Sequence, residues 1–247
     1  MNWFENWFNS KYYHILYKNR DHKEAVFFLD NIIKNININD GQILDVACGK
    51  GRHAKYLNHL GFNVTGIDLS KNSIEFANRD CNENLKYFVH DMRSVFRKNH
   101  FDLVTNLFTS FGYFENQEDE QTTINAMSNN LKEGGLLLID FMNVKKVISS
   151  LVKSESKEID GVQFFLERIY DENHIIKKIR IEDKGKIFNF KEKVRALTLY
   201  DFNLMMEKAN LKVINIFGNY SLDEFNAVES DRLILLAQKN NFSHNLE

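Results

Sequence analysis

The stretch from Gln42 to Ser70, QILDVACGKGRHAKYLNHLGFNVTGIDLS, constrains the fold more than any other part of the chain. An apolar run (Ile43, Leu44, Val46, Ala47) reads as a buried parallel strand. Gly49 and Gly51 follow at once, then a helical pattern from His53 to Leu60. A second strand runs from Phe62 to Ile67, and Asp68 ends it. The segment is one β-α-β unit with a glycine turn at the end of its first strand. Glycines there let the backbone approach a ligand closely, and the helix N-terminus offers free N–H groups. The acid about 20 residues on accepts hydrogen bonds from ribose hydroxyls. These features predict a nucleotide cradle.

Gly49, Gly51 and Ala54 satisfy the G-x-G-x-x-G/A dinucleotide fingerprint, with Asp68 at a compatible spacing, which alone points to NAD. Asp45 points elsewhere. It stands near the end of the strand, four residues before Gly49, where a dinucleotide fold wants an apolar side chain. A carboxylate there is costly unless it finds donors or a cation. A ligand carrying an amino group or a sulfonium supplies both. The stretch D-V-A-C-G-K-G resembles the first motif of the class I S-adenosylmethionine-dependent methyltransferases, in which an acid precedes three spaced glycines. Ala47 takes the first glycine's place. The resemblance covers residues 41–143 strongly and 196–239 less so.

The resemblance implies an α/β fold: a Rossmann-like seven-stranded, mostly parallel sheet with an antiparallel last strand and helices on both faces. It implies S-adenosyl-L-methionine as cofactor, held by Asp45, Ala47, Gly49, Gly51, Asp68, Leu69, Asp91, Met92 and Asn106. In that family an acid beyond the third strand, here Asp91, meets the adenine amino group, and Met92 supplies a backbone N–H to the ring. Phe108-Thr109-Ser110-Phe111-Gly112-Tyr113-Phe114, after the fourth strand, resembles a segment of small-molecule N-methyltransferases. Asn106 lacks the prolines of enzymes that methylate adenine or glutamine amides.

Length and composition set the frame. The chain has 247 residues, enough for one large domain with a substantial core. Its formal net charge of −2 gives no global field towards nucleic acid or membrane. The two cysteines, Cys48 and Cys81, have no metal-binding spacing, which fits a reduced cytoplasmic setting. No apolar run reaches the ~18 residues of a membrane span, and MNWFENWF lacks the features of a secretion signal.

The remaining elements follow from periodicity and capping. Residues 1–38 read as helical, with a second helix from Lys23 to Ile33. They carry a dense aromatic set (Trp3, Phe4, Trp7, Phe8, Tyr12, Tyr13, Tyr17) that fits either core packing or a lid over the ligand. Ser70 caps a helix from Lys71 to Arg79, and strands run from Leu85 to Val89 and from Phe101 to Leu107. Asn116 starts a helix over 118–131 that Gly134-Gly135 stop, ahead of a strand from Leu136 to Ile139. Residues 160–195 read as an antiparallel β insertion. Within it, residues 177–195 carry net +5 and form either a phosphate-gripping patch or a solvated sheet face. Thr198 and Asp201 cap a helix over 199–209 and a strand runs from Lys212 to Gly218. Ser221 to Glu224 read as a short helical turn, and Arg232 to Lys239 as the last strand.

Methyl transfer from a sulfonium needs alignment and exclusion of water, and a hydroxyl acceptor also needs its proton removed. Tyr113 is the candidate catalytic group, and Tyr12, Tyr13, Ser110, Tyr113 and Asp140 are the candidate substrate-side residues. A metal at Asp140 and Asn143 would need a third acid that the sequence does not place, so no metal is assigned. The predicted partner is a small-molecule acceptor methylated at nitrogen or oxygen, with no membrane and a homodimer through the β insertion as an option. The alternatives are an RNA or protein methyltransferase of the same fold, supported by the basic stretch alone, and a non-catalytic donor-binding protein.

Overall fold

The computed structural model describes residues 3–18, 22–36, 38 and 40–241. Strands β1 (Gln42–Val46), β2 (Asn63–Asp68), β3 (Leu85–Val89), β4 (Phe101–Asn106), β5 (Leu131–Met142), β10 (Leu211–Phe217) and β11 (Arg232–Lys239) form one sheet in the order β10-β11-β5-β4-β1-β2-β3. Pairings β3-β2-β1-β4-β5 are parallel, and β11 runs antiparallel to both β5 and β10. The strand order reverses beside β1, between β2 and β4, so the crevice for a ligand lies at the C-terminal end of β1.

Side-chain alternation sends each central strand to both faces. In β11, Leu233, Leu235 and Ala237 join one core cluster, and Ile234 and Leu236 the other. Helices α6 (Gln117–Asn130) and α8 (Leu199–Lys208) pack through Ile124, Met127, Phe202 and Met206 on the first face. Helices α3 (His22–Ile36), α4 (Arg52–His59) and α5 (Lys71–Ala77) cover the second through Phe28, Ile32, Leu57 and Ile74. This is the seven-stranded α/β sheet that the first motif implies. No described helix is long and apolar enough to cross a membrane.

A second sheet holds β6 (Ser154–Ile159), β7 (Val162–Tyr170), β8 (His174–Asp183) and β9 (Lys186–Arg195), all antiparallel. Its apolar face (Phe164, Leu166, Ile179, Ile181) packs on Trp7, Tyr12 and Leu16 of α1 (Trp3–Phe8) and α2 (Lys11–Leu16). The insertion thus starts earlier than the sequence suggests. β6, SESKEI, has no apolar alternation and is an edge strand guarded by charge. Helix α7 (Val144–Ser149) was likewise illegible, being a single short turn and a half behind β5.

Other elements depart from expectation for local reasons. Ser10 accepts from the Tyr12 N–H, so the first aromatic helix breaks into two. The side chains of Trp3 and Phe4 lie outside the described residues. Helix α6 ends at Asn130, before the glycines, because the buried Asn130 side chain turns to the Phe96 and Arg97 N–H groups. Gly134-Gly135 instead sit inside β5, where the register with β4 shifts between Phe101 and Leu103. Residues 221–224 form no helix: Asn219 Oδ1 accepts from the Ser221 and Asp223 N–H groups and holds them in a turn.

Candidate functional site

The C-terminal ends of β1, β2 and β4 and the loop after β3 open into a cavity of about 450 Å3, within the ~300–1,000 Å3 range of small-molecule sites. The glycine loop forms its floor. Gly49 and Gly51 have φ of 56° and 81°, and Ala47 adopts the same left-handed region at 58°. Alanine at such a position costs about 1 kcal/mol that glycine would not. A Cβ on Gly49 would meet no atom, so the loop leaves open space on the cavity side, whereas one on Gly51 would collide with the Tyr87 ring. Gly51 begins α4 without a side-chain cap, leaving that helix end open.

Two carboxylates bracket the loop. Asp45 is 1% exposed; its Oδ1 accepts from the Thr105 hydroxyl at 3.0 Å, and the Ala54 N–H and Arg52 lie close enough to favour its ionised form. Oδ2 is buried without a hydrogen bond. Burial, opposed by the Thr105 hydroxyl, pushes its carboxyl up to about 7. Asp68 Oδ2 accepts from the Gly49 N–H at 2.8 Å and Oδ1 from the Ser70 N–H at 2.8 Å. Burial raises its pKa against those two bonds. Each Asp68 oxygen retains a lone pair for a ligand hydroxyl.

Asp91 lines the cavity with Met92 and is gripped by Arg93, whose Nη2 donates to Oδ2 at 2.6 Å and whose backbone N–H donates to Oδ1 at 3.0 Å. The Arg93 guanidinium holds the Asp91 carboxyl below the usual carboxylate range. Past β4, Phe108 and Thr109 both take left-handed φ, 57° and 60°. Such strain persists only where surroundings over-determine it. Here the fully buried Asp140 does so: its Oδ2 accepts from the Phe108 N–H (2.9 Å) and its backbone oxygen from the Thr109 N–H (2.9 Å). Asp140 Oδ1 accepts from Arg232 Nε (2.7 Å), and Arg232 Nη2 donates to Thr109 Oγ1 (2.9 Å).

Helices α1 and α2 form the roof. Phe8, Tyr13, His14 and Tyr17 face the cavity opposite Tyr113, and the Phe8 and Tyr113 rings meet edge to face at 5.4 Å. The roof is tied to the insertion through the half-buried Glu192, which accepts from Trp7 Nε1 (2.7 Å), the Tyr17 hydroxyl (2.6 Å) and Lys177 Nζ (2.9 Å). Burial raises the Glu192 carboxyl, but Lys177 and these hydrogen bonds outweigh it and leave the pKa lowered.

Of the residues singled out from sequence, Asp45, Ala47, Gly49, Asp68, Leu69, Asp91, Met92, Tyr13, Ser110 and Tyr113 line this one cavity. Four do not. Gly51 supports the loop from behind. Asn106 is buried and ties β4 to β1 through the Val46 carbonyl (3.1 Å). Tyr12 turns into the insertion, where its hydroxyl donates to Asp183 (2.9 Å). Asp140 faces Arg232 and Tyr220, not the cavity, because its side-chain oxygens are taken by Arg232, by the Tyr220 hydroxyl and by the Phe108 N–H of the turn it staples. The Tyr113 hydroxyl donates to the Thr109 carbonyl (2.8 Å), so its proton is engaged away from a substrate. Arg93 and His14 were missed. The D-x-R spacing of a residue that can grip its neighbour's carboxylate would have found Arg93; nothing local marks His14. In the basic stretch, Lys177 pairs with Glu192, Arg180 with Glu182, Lys193 with Glu115 and Arg195 with Glu120, which removes much of its free charge.

The methyltransferase-domain family matches residues 43–135. A Geobacillus sp. (strain WCH70) protein classed by name as a methyltransferase is 27% identical over 80% of this chain and 84% of its own. The ubiquinone biosynthesis O-methyltransferase of Pelagibacter ubique (strain HTCC1062) is 26% identical over 72% of this chain and 75% of its own. An S-adenosylmethionine-dependent methyltransferase structure from Clostridium acetobutylicum ATCC 824 superposes with a TM-score of 0.78 at 23% identity, covering 93% of this chain and 96% of that one. With the carboxylate-flanked glycine loop at the switch point, these likenesses define the class: the chain is a class I S-adenosylmethionine-dependent methyltransferase. Its residues fit that donor. The orphaned Oδ2 of Asp45 calls for a cation or a donor group, and the open face of Gly49 leaves room for close approach.

Proposed function

We propose that this methyltransferase acts on a small-molecule acceptor, at nitrogen or oxygen. The observation that carries the reading is the roof: aromatic side chains of α1 and α2 close over the donor cradle and leave a cavity of about 450 Å3. The structure of CalS10, an amino pentose methyltransferase from Micromonospora echinaspora determined with S-adenosylmethionine bound, shares this fold at a TM-score of 0.68 and 19% identity, over 94% of this chain and 98% of that one. That likeness is consistent with a small acceptor.

S-adenosylmethionine, when bound, supplies an electrophilic methyl group on a sulfonium. Asp45 and the loop Ala47–Gly49 hold its cationic end, Asp68 the ribose hydroxyls, and Asp91 with the Met92 N–H the adenine edge. Phe8, Tyr13, Tyr17 and Tyr113 exclude water and give the acceptor side an aromatic lining, which is favourable to a cation or an amine. With the Tyr113 proton given to the Thr109 carbonyl, no base is needed if the acceptor is an amine that enters neutral. The test is turnover across parallel panels of small amines and small hydroxyl compounds, read as S-adenosylhomocysteine released and mass gained by the acceptor. Methylation within either panel supports the reading. Donor binding with methylation of RNA or protein only, or of nothing, overturns it.

A further inference from the structure

We propose that Arg93 is a positioning residue for the donor: it sets the Asp91 carboxylate to receive the exocyclic amino group of adenine. The inference rests on the reading of Asp91 given above. Three N–H groups of this one residue grip the acid. The Arg93 backbone N–H donates to Oδ1 at 3.0 Å, Nε straddles both oxygens at 3.1 Å, and Nη2 donates to Oδ2 at 2.6 Å. An ionised carboxylate offers about four lone-pair sites. These contacts fall two on each oxygen with Nε shared between them, so three donors leave about one site on the carboxylate for a further N–H. Both residues line the cavity, and the Ser94 N–H to Asp91 carbonyl bond (3.0 Å) closes them into one turn.

The far side of the guanidinium is also held. Nη1 donates to Asp119 Oδ2 at 3.1 Å, and the Phe114 ring lies 5.9 Å away. Asp119 sits in the first turn of α6, with its N–H capped by Asn116 at 2.8 Å. The orientation of Asp91 is thereby referenced to a packed helix instead of to an exposed loop. A planar fork fixes the plane of a carboxylate; a lysine supplies charge without that plane. The charged and titratable groups facing this pair are His90 beside Asp91 and Asp119 beyond Arg93.

The experiment is calorimetric titration of S-adenosyl-L-homocysteine and of S-inosyl-L-homocysteine, whose base carries an oxo group in place of the amino group. Both are titrated into the wild-type chain and into Asp91→Ala, Arg93→Met, Arg93→Lys and Asp119→Asn. The wild type should prefer the adenosyl compound by about tenfold or more, the size of one hydrogen bond to a charged group. Arg93→Met should lose most of that preference while still binding the inosyl compound as the wild type does, and Arg93→Lys and Asp119→Asn should keep part of it. Loss of preference in Asp91→Ala alone, with Arg93→Met unchanged, overturns the role of Arg93 and leaves Asp91 as the adenine contact. An unaltered preference in Asp91→Ala, or none in the wild type, overturns the Asp91 reading itself. Equal weakening of both ligands in Arg93→Met marks a structural role and also counts against positioning. Where Arg93→Met does not fold, Arg93→Lys and Asp119→Asn decide by the same ratio.

Discussion

Replacing Arg232 by methionine should destabilise the fold and loosen the wall of the cavity together. Asp140 is 0% exposed, and its closest charged partner is Arg232 Nε at 2.7 Å. In Arg232→Met the carboxylate keeps two neutral donors, the Phe108 N–H at 2.9 Å and the Tyr220 hydroxyl at 3.1 Å, but no opposite charge. Removing one partner of a buried pair costs about 3–5 kcal/mol. In a chain of this size that is roughly 6–20 °C in melting temperature. The same change removes the donor to Thr109 Oγ1, one of the contacts holding the two left-handed residues. Urea unfolding monitored by circular dichroism gives the free energy, and scanning calorimetry the melting temperature. The control is Arg232→Met with Asp140→Asn, which removes the orphaned charge but keeps an acceptor for Phe108; it should recover at least ~1 kcal/mol of the loss. A single variant within ~1 kcal/mol of wild type, or a double variant no more stable than the single, would refute the claim that this pair staples the turn.

Further outcomes follow from the same geometry. Asp68→Ala should weaken donor binding by about 1–3 kcal/mol, since it removes both ribose acceptors and the bonds to Gly49 and Ser70; unchanged affinity by calorimetry in a folded variant ends that role. Asp45 titrates at about 7 in the fold against an ordinary 3.8, so the ligand-free protein binds more protons folded than unfolded between those values. Its stability contribution therefore falls as pH rises from about 4 to about 7 and is level above. A cationic donor favours the ionised form, so donor affinity should rise with pH up to about 7 and be level above it, and Asp45→Asn should flatten that rise; an identical slope in the variant contradicts it. Tyr113→Phe should keep turnover within about tenfold, because a general base is worth about 10²–10⁴-fold; a loss beyond a hundredfold would restore Tyr113 as the catalytic group. RNA should show no salt-sensitive retention, given the acids already paired along β8 and β9.

Much of the donor side was legible because its chemistry lies in one short stretch. Asp45, Gly49 and Asp68 belong to a single β-α-β unit, so spacing in sequence fixes spacing in the fold. Asp91 lies further along, one strand away from Asp68, and its position followed from the strand order that the first motif implies. The acceptor side was harder because it is assembled from distant segments. Tyr12 and Tyr13 are neighbours in sequence, yet one points into the insertion and the other into the cavity, a difference set by where the insertion sheet packs. Asp140 reads as a crevice residue from its place at a strand end. Its real neighbours, Arg232 and Tyr220, come from the last strand and the loop before it, which nothing near Asp140 reveals. Edge strand β6 escaped for a different reason: charge on an edge serves to block pairing, and so erases the alternation by which strands are read.

The most direct measurement is a crystal structure of the chain with S-adenosyl-L-homocysteine. The account predicts one molecule per chain, with its ribose hydroxyls on Asp68, its adenine amino group on Asp91 and its sulfur turned towards Tyr113 and the aromatic roof. A ligand seated elsewhere, or one in this cavity whose ribose makes no contact with Asp68, would contradict it.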